Sequence, residues 1–138
     1  MHFTLTSTAK ITYEPLNRML VVEPFEGAVI DRQDYCEQFD SSLKLTNGNK
    51  VAVLIKTAPF LTITKEAKEE SLSPAKLQYM ICQAILANNM AANLVANFYI
   101  KYFKPGIPTR LFSNEQKARK WLKEKIALYE KNNQNLPS

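Results

Sequence analysis

Apolar and polar residues alternate along the start of the chain. One set of alternate positions is apolar or small, namely Phe3, Leu5, Ser7, Ala9, Ile11 and Tyr13. A period of two predicts a half-buried β-strand over residues 3–14. Pro15 and Asn17 then predict a turn, and the apolar residues 19–23 predict a returning strand. The chain is therefore expected to open with a β-hairpin.

Helical spacing replaces this alternation in the next segment. Asp31 can cap a helix whose apolar positions recur at helical spacing, at Cys36, Phe39 and Leu43, with Tyr35 beside them. Asn47 and Gly48 predict its end, because both residues tolerate left-handed backbone. Residues 50–55 form a continuous apolar run, which is typical of a strand covered on both faces. This order predicts a parallel strand pair joined by a right-handed crossover.

A short polar helix and a second apolar run come next. Residues 64–72 predict the helix, and Pro74 prevents it from continuing. Residues 79–86 predict another interior strand, although an apolar run of this length also fits a buried helix.

The strongest helical pattern in the chain covers residues 91–103. Its apolar positions are Ala91, Leu94, Val95, Phe98, Tyr99, Tyr102 and Phe103. Core packing is the expected role of this stripe; the alternative is that the sheet covers only part of it and the remainder forms an exposed interface patch. Residues 105–108 break this helix, residues 109–112 predict a short strand, and Ser113 with Gln116 predicts a capping box for a last helix. The expected inward residues of that last helix are Ala118, Trp121, Leu122, Ile126 and Tyr129.

These elements predict one α/β domain, in which an N-terminal β-hairpin precedes alternating helices and strands. With 138 residues, the chain can bury a core without disulfide bonds or metal ions. We expect the domain to cover residues 1–131 and residues 132–138 to form a frayed tail. Cys36 and Cys82 lie among apolar residues and are expected to be reduced and buried.

The start of the chain shows no signal peptide, because no basic segment followed by an apolar run stands there. The apolar runs are all shorter than the ~18 residues that a membrane span requires. We therefore expect a soluble cytoplasmic protein.

Short motifs between residues 94 and 122 resemble a known family. They are Asn-Phe-Tyr-Ile-Lys at residues 97–101, Ile-Pro-Thr-Arg-Leu-Phe at residues 107–112 and Ala-x-x-Trp-Leu at residues 118–122. Together with Leu-Ile-x-Thr at residues 54–57 and Thr-Lys-Glu-Ala at residues 64–67, they resemble an uncharacterised family of small bacterial STAS-like proteins. This family has the SpoIIAA-like fold that sulfate transporters and anti-sigma-factor antagonists share. The resemblance implies a SpoIIAA/STAS-like mixed sheet.

Domains of this kind act by binding a partner protein. The resemblance therefore implies a non-enzymatic regulatory or interaction module with a protein partner. In the antagonist branch, phosphorylation of a serine at the start of the helix after the third strand switches binding off. The corresponding loop here carries Phe60, Thr62, Thr64 and Lys65, without the Asp-Ser pair of the antagonists. A phosphate on Thr62 or Thr64 would lie near a helix N-terminus, which favours negative charge; the alternative is that Thr64 only caps the helix.

Catalytic chemistry has little support in the sequence. His2 is the only histidine and lies near the N-terminus, and three glycines cannot form a phosphate-binding loop. The acidic residues are scattered along polar helix faces rather than grouped around a metal position. We therefore expect no enzyme activity, no cofactor and no metal.

A second class of function follows from the apolar helix at residues 91–103. The STAS-like fold is similar to that of the CRAL-TRIO lipid carriers, in which apolar helices line a ligand pocket. A small apolar or anionic ligand could lie between this helix and the sheet, with Asn97, Ile100, Phe103 and Arg110 as candidate ligand or interface residues. The structural alternative is that Asn97 bonds to nearby backbone and Arg110 lies at an exposed strand end.

The net charge of +5 suggests a third class. Basic residues are concentrated late in the chain, at Lys101, Lys104, Arg110, Lys117, Arg119, Lys120, Lys123, Lys125 and Lys131. Such a surface could contact nucleic acid or anionic lipid, and weak nucleic-acid binding through the last helix is the third candidate. The simpler interpretation is a solvated outer helix, which makes nucleic acid the least favoured partner.

Overall fold

The computed structural model describes residues 2–134. Its strands are β1 (Phe3–Leu5), β2 (Ala9–Glu14), β3 (Met19–Pro24), β4 (Val29–Ile30), β5 (Val51–Lys56), β6 (Thr62–Ile63), β7 (Met80–Leu86) and β8 (Thr109–Phe112). Its helices are α1 (Arg32–Thr46), α2 (Lys65–Ser71), α3 (Pro74–Leu77), α4 (Met90–Phe103) and α5 (Glu115–Gln134). The elements alternate as expected for an α/β domain.

One mixed sheet of six strands organises the fold, in the order β1-β2-β3-β5-β7-β8. The β1–β2 and β2–β3 pairs are antiparallel, whereas β3, β5, β7 and β8 run parallel to one another. The predicted hairpin, the parallel crossovers and the strand at residues 79–86 are confirmed. Strands β4 and β6 form a separate parallel pair, which the sequence pattern did not predict.

The single strand predicted over residues 3–14 is wrong. The chain reverses at residues 6–8, so that β1 pairs antiparallel with β2 and Phe3 lies opposite Thr12. The hydroxyl oxygen of Thr6 accepts hydrogen bonds from the backbone amides of Thr8 and Ala9, at 3.2 and 3.0 Å. A side-chain oxygen that satisfies local amides stabilises a tight turn. The alternation continues through this turn, which is why periodicity alone does not reveal it.

Helix α5 covers one face of the sheet and closes a solid core. The buried residues of this core are Met19, Val21, Ala52, Leu54, Ile81, Cys82, Ala84, Ala118, Leu122 and Ile126. Trp121 and Tyr129 are partly buried against it, so the predicted inward stripe of the last helix is confirmed. Beside this core, the guanidinium of Arg119 makes two hydrogen bonds to the Glu14 carboxylate, at 2.9 and 3.0 Å. That pairing holds the pKa of Glu14 below its ordinary value.

Helices α1, α2 and α4 lie over the opposite face of the sheet. The residues of the central strands alternate between the two faces, so that Leu20, Val53 and Ile85 point away from the α5 core. The hydrophobic cluster on this side is smaller and consists of Ile11, Leu20, Val51 and Val53, with Gln83, Ile85 and Ala96 buried outside it. The two faces therefore differ in how completely their helices fill them.

The helix ends agree with the sequence except at α5. Asp31 forms a capping box with Asp34 at the start of α1, and Asn47 ends that helix in left-handed geometry. The capping box predicted from Ser113 and Gln116 is wrong, because the side chain of Asn114 accepts the hydrogen bond from the Lys117 amide at 3.0 Å. Helix α5 extends to Gln134, into the segment expected to form the tail; residues 135–138 lie outside the described residues.

The two cysteines are free, but they differ in burial. Cys82 lies in the core under α5, where burial raises the pKa of its thiol to about 11. Cys36 is only half-buried, with its sulfur 3.7 Å from the Glu70 carboxylate, so the expectation that both are buried is wrong for Cys36.

Candidate functional site

A cavity of about 550 Å³ separates the sheet from helices α1, α2 and α4. Its floor is the face of the sheet opposite α5, with Leu20, Val22, Val51, Val53, Ile55, Met80, Gln83 and Ile85. Its walls include Tyr35 and Phe39 of α1, Ala67, Lys68 and Ser71 of α2, and Ala92, Val95, Ala96 and Tyr99 of α4. The loop at residues 57–61 lines the same space. The lining is overwhelmingly apolar.

The composition of α4 accounts for this space. Ala96 is the only residue of α4 that is buried, and Ala92 also lines the cavity. An alanine side chain reaches only one carbon from the backbone, so neither residue fills the gap below the helix. On the other face of the sheet, the long side chains of Leu122 and Ile126 fill the corresponding space. The cavity thus lies between the small residues of α4 and the short β-branched side chains of the sheet that form its floor.

The inward stripe predicted for residues 91–103 is only partly correct. Tyr99 and Phe103 are half-buried as expected, and their rings stack at a centroid distance of 5.7 Å. Leu94, Phe98 and Tyr102, however, are each more than half exposed. The apolar arc of this helix is wider than its contact with the domain, because α4 packs mainly against β8 and α2. The remainder of the arc is left on the surface.

Two hydroxyl groups meet where α2 contacts α4, and Tyr35 of α1 is near enough to Tyr99 to interact with it electrostatically. The Ser71 hydroxyl donates to the backbone carbonyl of Lys68 at 2.6 Å, and it lies 3.3 Å from the Tyr99 hydroxyl. Because a serine hydroxyl has one proton, Tyr99 donates to Ser71 in this arrangement. Burial raises the pKa of the Tyr35 hydroxyl above its ordinary value, and nearby Tyr99, Cys36 and Glu70 add to this effect. Tyr35 therefore remains a hydrogen-bond donor at physiological pH.

A cationic group borders the same region. Lys68 lines the cavity, and its ammonium lies 5.8 Å from the centre of the Phe103 ring. The carboxylate of Glu70 on the same helix is paired with Lys76 at 2.8 Å and with Arg32 at 3.5 Å. Those pairs offset the charge of Glu70, and Lys68 is the one lysine or arginine among the described residues that line the cavity.

One polar residue lies in the floor of the cavity. Gln83 is buried in β7, and its side-chain amide donates to the Thr109 hydroxyl at 3.0 Å. Thr109 in turn donates to the backbone carbonyl of Ile107 at 3.0 Å. This chain of hydrogen bonds fixes the Gln83 side chain against the β8 edge.

The predicted loop residues have different surroundings. Phe60 is 85% exposed and adopts a left-handed backbone with φ of 58°, and it lines the cavity mouth with residues 57–61. Thr62 lies in β6 and is exposed, as is Lys65 in the first turn of α2. The Thr64 hydroxyl accepts a hydrogen bond from the Ala67 amide at 3.2 Å, so Thr64 is the N-cap of α2.

The second predicted group is not brought together. Ile100 and Phe103 are half-buried on α4, whereas Asn97 is exposed on the same helix. Arg110 pairs with Ala84 in the sheet, which places its side chain on the α5 face, above the ring of Phe112. Asn97 and Arg110 therefore lie on different sides of the domain. The basic residues of α4 and α5 are divided between the same two sides.

Sequence reasoning missed most of the cavity wall. Tyr35, Lys68, Ser71 and Gln83 were not among the candidate residues. Gln83 offers a signal in retrospect, because it is a lone amide inside the apolar run of residues 79–86. Lys68 and Ser71 carry no pattern that distinguishes them from surface residues of a short helix, and Tyr35 appears only as a residue beside the apolar stripe of α1.

Two further properties concern the described residues alone. Within residues 2–134, no cluster of three or more His, Cys, Asp or Glu side chains is arranged to hold a metal ion. Across the same part of the chain, no helix has both the length and the apolar character needed to cross a membrane.

Known proteins provide an independent comparison. Residues 13–126 match the model of a family described as a domain of unknown function, DUF7793. The fold is similar to the crystal structure of an uncharacterized protein from the DUF3478 family of Shewanella loihica PV-4, which has a SpoIIAA-like fold. The two share 15% sequence identity and a TM-score of 0.58, over 86% of this chain and 99% of that chain. No curated protein matches the sequence. The SpoIIAA-like fold implied by the sequence motifs is confirmed.

Proposed function

This chain belongs to the DUF7793 family, and we propose that its domain binds a small, largely apolar ligand in the cavity, as a carrier or sensor rather than an enzyme. The observation that carries the proposal is the cavity of about 550 Å³ between α4 and the sheet. Ligand sites in proteins range from roughly 300 to 1,000 Å³ and are mostly apolar with a few polar groups. This cavity has both properties.

The energetics favour an occupant with a hydrocarbon body. Water molecules in an apolar cavity lack the two to four polar partners that each requires. A ligand chain of ten carbons would instead contribute about 8 kcal/mol, at about 0.8 kcal/mol per methylene, before the entropy cost of association. An association cost of about 4 kcal/mol would leave about 4 kcal/mol, so a dissociation constant on the order of 1 mM is expected for a simple aliphatic chain, and contacts to its head group would lower it.

Two polar groups of the cavity wall select the head of the ligand. Tyr35 of α1 supplies a hydroxyl donor and Lys68 of α2 supplies a positive charge, and both residues line the cavity. A carboxylate or a similar acceptor satisfies both groups, whereas an ammonium head would be repelled by Lys68. We therefore infer a ligand with an apolar body and one anionic or hydrogen-bond-accepting head.

A fluorescence titration tests this proposal. Anilinonaphthalene sulfonate, an apolar anion whose emission rises in apolar surroundings, is expected to bind the folded protein saturably and with a stoichiometry of one. Decanoate, decanol and decylamine then compete for the site with chains of equal length. Decanoate is expected to displace the probe at the lowest concentration and decylamine at the highest, because of Lys68.

Two variants define how this experiment is interpreted. Lys68→Met should remove the preference for decanoate over decanol and weaken, without abolishing, binding of the anionic probe, whose apolar rings still fill the cavity. Leu94→Ser with Phe98→Ser, on the outer side of α4, should leave both affinities unchanged, which excludes the surface as the binding site. Probe emission that rises without saturation, or no displacement by any of the three competitors, would contradict the proposal.

A specific observation favours a second candidate, a STAS-like module that binds a protein. A left-handed backbone at a phenylalanine costs about 1–3 kcal/mol, and such strain concentrates at functional sites. Phe60 combines this conformation with 85% exposure of its side chain, beside Thr62 and Thr64. The engagement of Thr64 as an N-cap is the argument against a switch there, because its hydroxyl already serves the Ala67 amide.

The phospho-switch has its own test. If it operates, protein purified from its own host should carry a covalent phosphate that maps to Thr62 or Thr64, as measured by intact and peptide mass. If the phosphate maps to Thr64, Thr64→Ala should abolish it, whereas a phosphate on Thr62 should be abolished by Thr62→Ala. As the loss of a helix cap, Thr64→Ala should also lower the free energy of unfolding by about 1 kcal/mol. A phosphate-free mass under every growth condition would count against the switch without affecting the ligand proposal.

A further inference from the structure

The outer side of α4 carries an exposed apolar row, which we call the α4 ridge: Met90, Leu94, Phe98 and Tyr102. These residues are spaced four apart, so they share one side of the helix, and each is more than half exposed. The rings of Phe98 and Tyr102 are 4.5 Å apart, so they pack on each other rather than on the core. At 1.5 Å per residue, the helix and its ridge are about 20 Å long.

The surroundings of the ridge are cationic. Residues 87–114 include no aspartate and no glutamate. Lys101 and Lys104 are exposed at the C-terminal end of α4, and the Lys101 ammonium lies 5.5 Å from the centre of the Tyr102 ring. The adjacent helix α2 carries exposed Glu66 and Glu69, whose charge Lys65 and Lys68 offset. An apolar row with positive charge at its end is thus presented to solvent.

We propose that the α4 ridge docks onto a membrane surface that contains anionic lipid. An amphipathic helix in this position lies in the plane of the interface, with its apolar side chains among the acyl chains and its lysines at the phosphates. Met90, Leu94 and Phe98 would enter the membrane, while Tyr102 lies at the headgroup level with Lys101 and Lys104. The proposal concerns the outer side of α4, so it does not depend on an occupied cavity.

Charge and polarity favour a lipid surface over two other occupants. In a ridge-to-ridge contact, the segment of a second copy that carries its ridge, residues 87–114, would supply no carboxylate for Lys101 or Lys104. Nucleic acid would satisfy the lysines but would leave Met90, Leu94 and Phe98 without apolar partners. Anionic lipid satisfies both the apolar row and the cations.

Co-sedimentation with vesicles tests the proposal on the full chain. The protein is expected to bind vesicles of phosphatidylcholine mixed with phosphatidylglycerol, and to bind pure phosphatidylcholine much more weakly. Leu94→Ser with Phe98→Ser should reduce the partition coefficient roughly tenfold or more, and Lys101→Glu with Lys104→Glu should do the same. Leu128→Ser is the matched control, since Leu128 is a similarly exposed apolar residue on α5.

A second measurement does not depend on the serine variant remaining folded. Phe98→Trp should show fluorescence quenched by brominated lipid, in excess of any quenching of the native Trp121. Three results would overturn the proposal: no partition into anionic vesicles, partition that Leu94→Ser with Phe98→Ser leaves unchanged, or a dimer in sedimentation velocity that the same variant dissociates. Anilinonaphthalene sulfonate binding is measured in parallel, so a failure here is distinguishable from a failure of the ligand proposal.

Discussion

Leu122→Ala is expected to lower the free energy of unfolding by about 3–5 kcal/mol, the largest loss expected from one substitution in this domain. Leu122 is 0% exposed and lies between α5 and the sheet, within the core that contains Met19 and Leu54. Neighbours on every side prevent collapse into the vacated space, so both the transfer free energy and the cavity cost apply. Urea unfolding followed by far-UV circular dichroism measures the change.

Two isoleucines give this prediction a matched comparison. Ile126 on the α5 side and Ile85 on the cavity side are each 7% exposed. Ile126→Ala should cost about 2–4 kcal/mol, whereas Ile85→Ala should cost about half as much, because the cavity already deprives Ile85 of contacts on one side. Equal losses for the two variants would mean that the cavity face is as tightly packed in solution as the α5 face.

Ala96→Phe is expected to weaken the binding of anilinonaphthalene sulfonate and decanoate roughly tenfold or more, with little loss of stability. Ala96 is the buried residue of α4 that borders the cavity, so a phenyl ring at this position enters the space that a ligand would occupy. The ring also gains apolar contacts with the floor of the cavity, which offset the lower helix propensity of phenylalanine. Fluorescence titration and urea unfolding of the same preparation measure both effects.

Ala118→Phe controls for the introduction of a phenyl ring into a buried helix position. Ala118 is 0% exposed and packs against the sheet on the α5 side, where no space is available. Overpacking there should cost about 1–3 kcal/mol or more and leave ligand affinity unchanged in the folded fraction. If Ala96→Phe instead destabilises the domain as strongly as Ala118→Phe does and still binds the probe, the ligand does not occupy the cavity between α4 and the sheet.

The order and type of most elements were predictable because their signals are local. A continuous apolar run at residues 50–55 and a cap at Asp31 act within a few residues, and both predictions are confirmed. The reversal at residues 6–8 was not predictable from periodicity, because Thr6 turns the chain with its own hydroxyl while the alternation continues. The pairing of β4 with β6 was also not predicted, since strands of two residues carry no recognisable hydrophobic pattern.

The candidate site was predictable only as a location. The apolar helix at residues 91–103 indicated that a ligand could lie between it and the sheet, and the cavity is found there. The particular residues Asn97 and Arg110 remain untested as ligand or interface residues, and the structure places them on opposite sides of the sheet. Tyr35, Lys68 and Ser71 come from two different helices, so only the packing of α1, α2 and α4 brings them to one cavity.

Sequence alone predicted the order of most strands and helices, since hydrophobic periodicity, caps and breaks are properties of neighbouring residues, and the resemblance of its motifs to a known family implied the SpoIIAA-like fold. The wide apolar arc of α4 was also visible in the sequence, but the sequence did not show which of its residues face the domain and which face solvent. Tertiary packing decided that Ala96 and Tyr99 face the cavity while Leu94 and Phe98 face solvent. The physical reason is that an empty volume, or an uncovered helix face, depends on how closely distant elements approach, and no short stretch of chain encodes that distance.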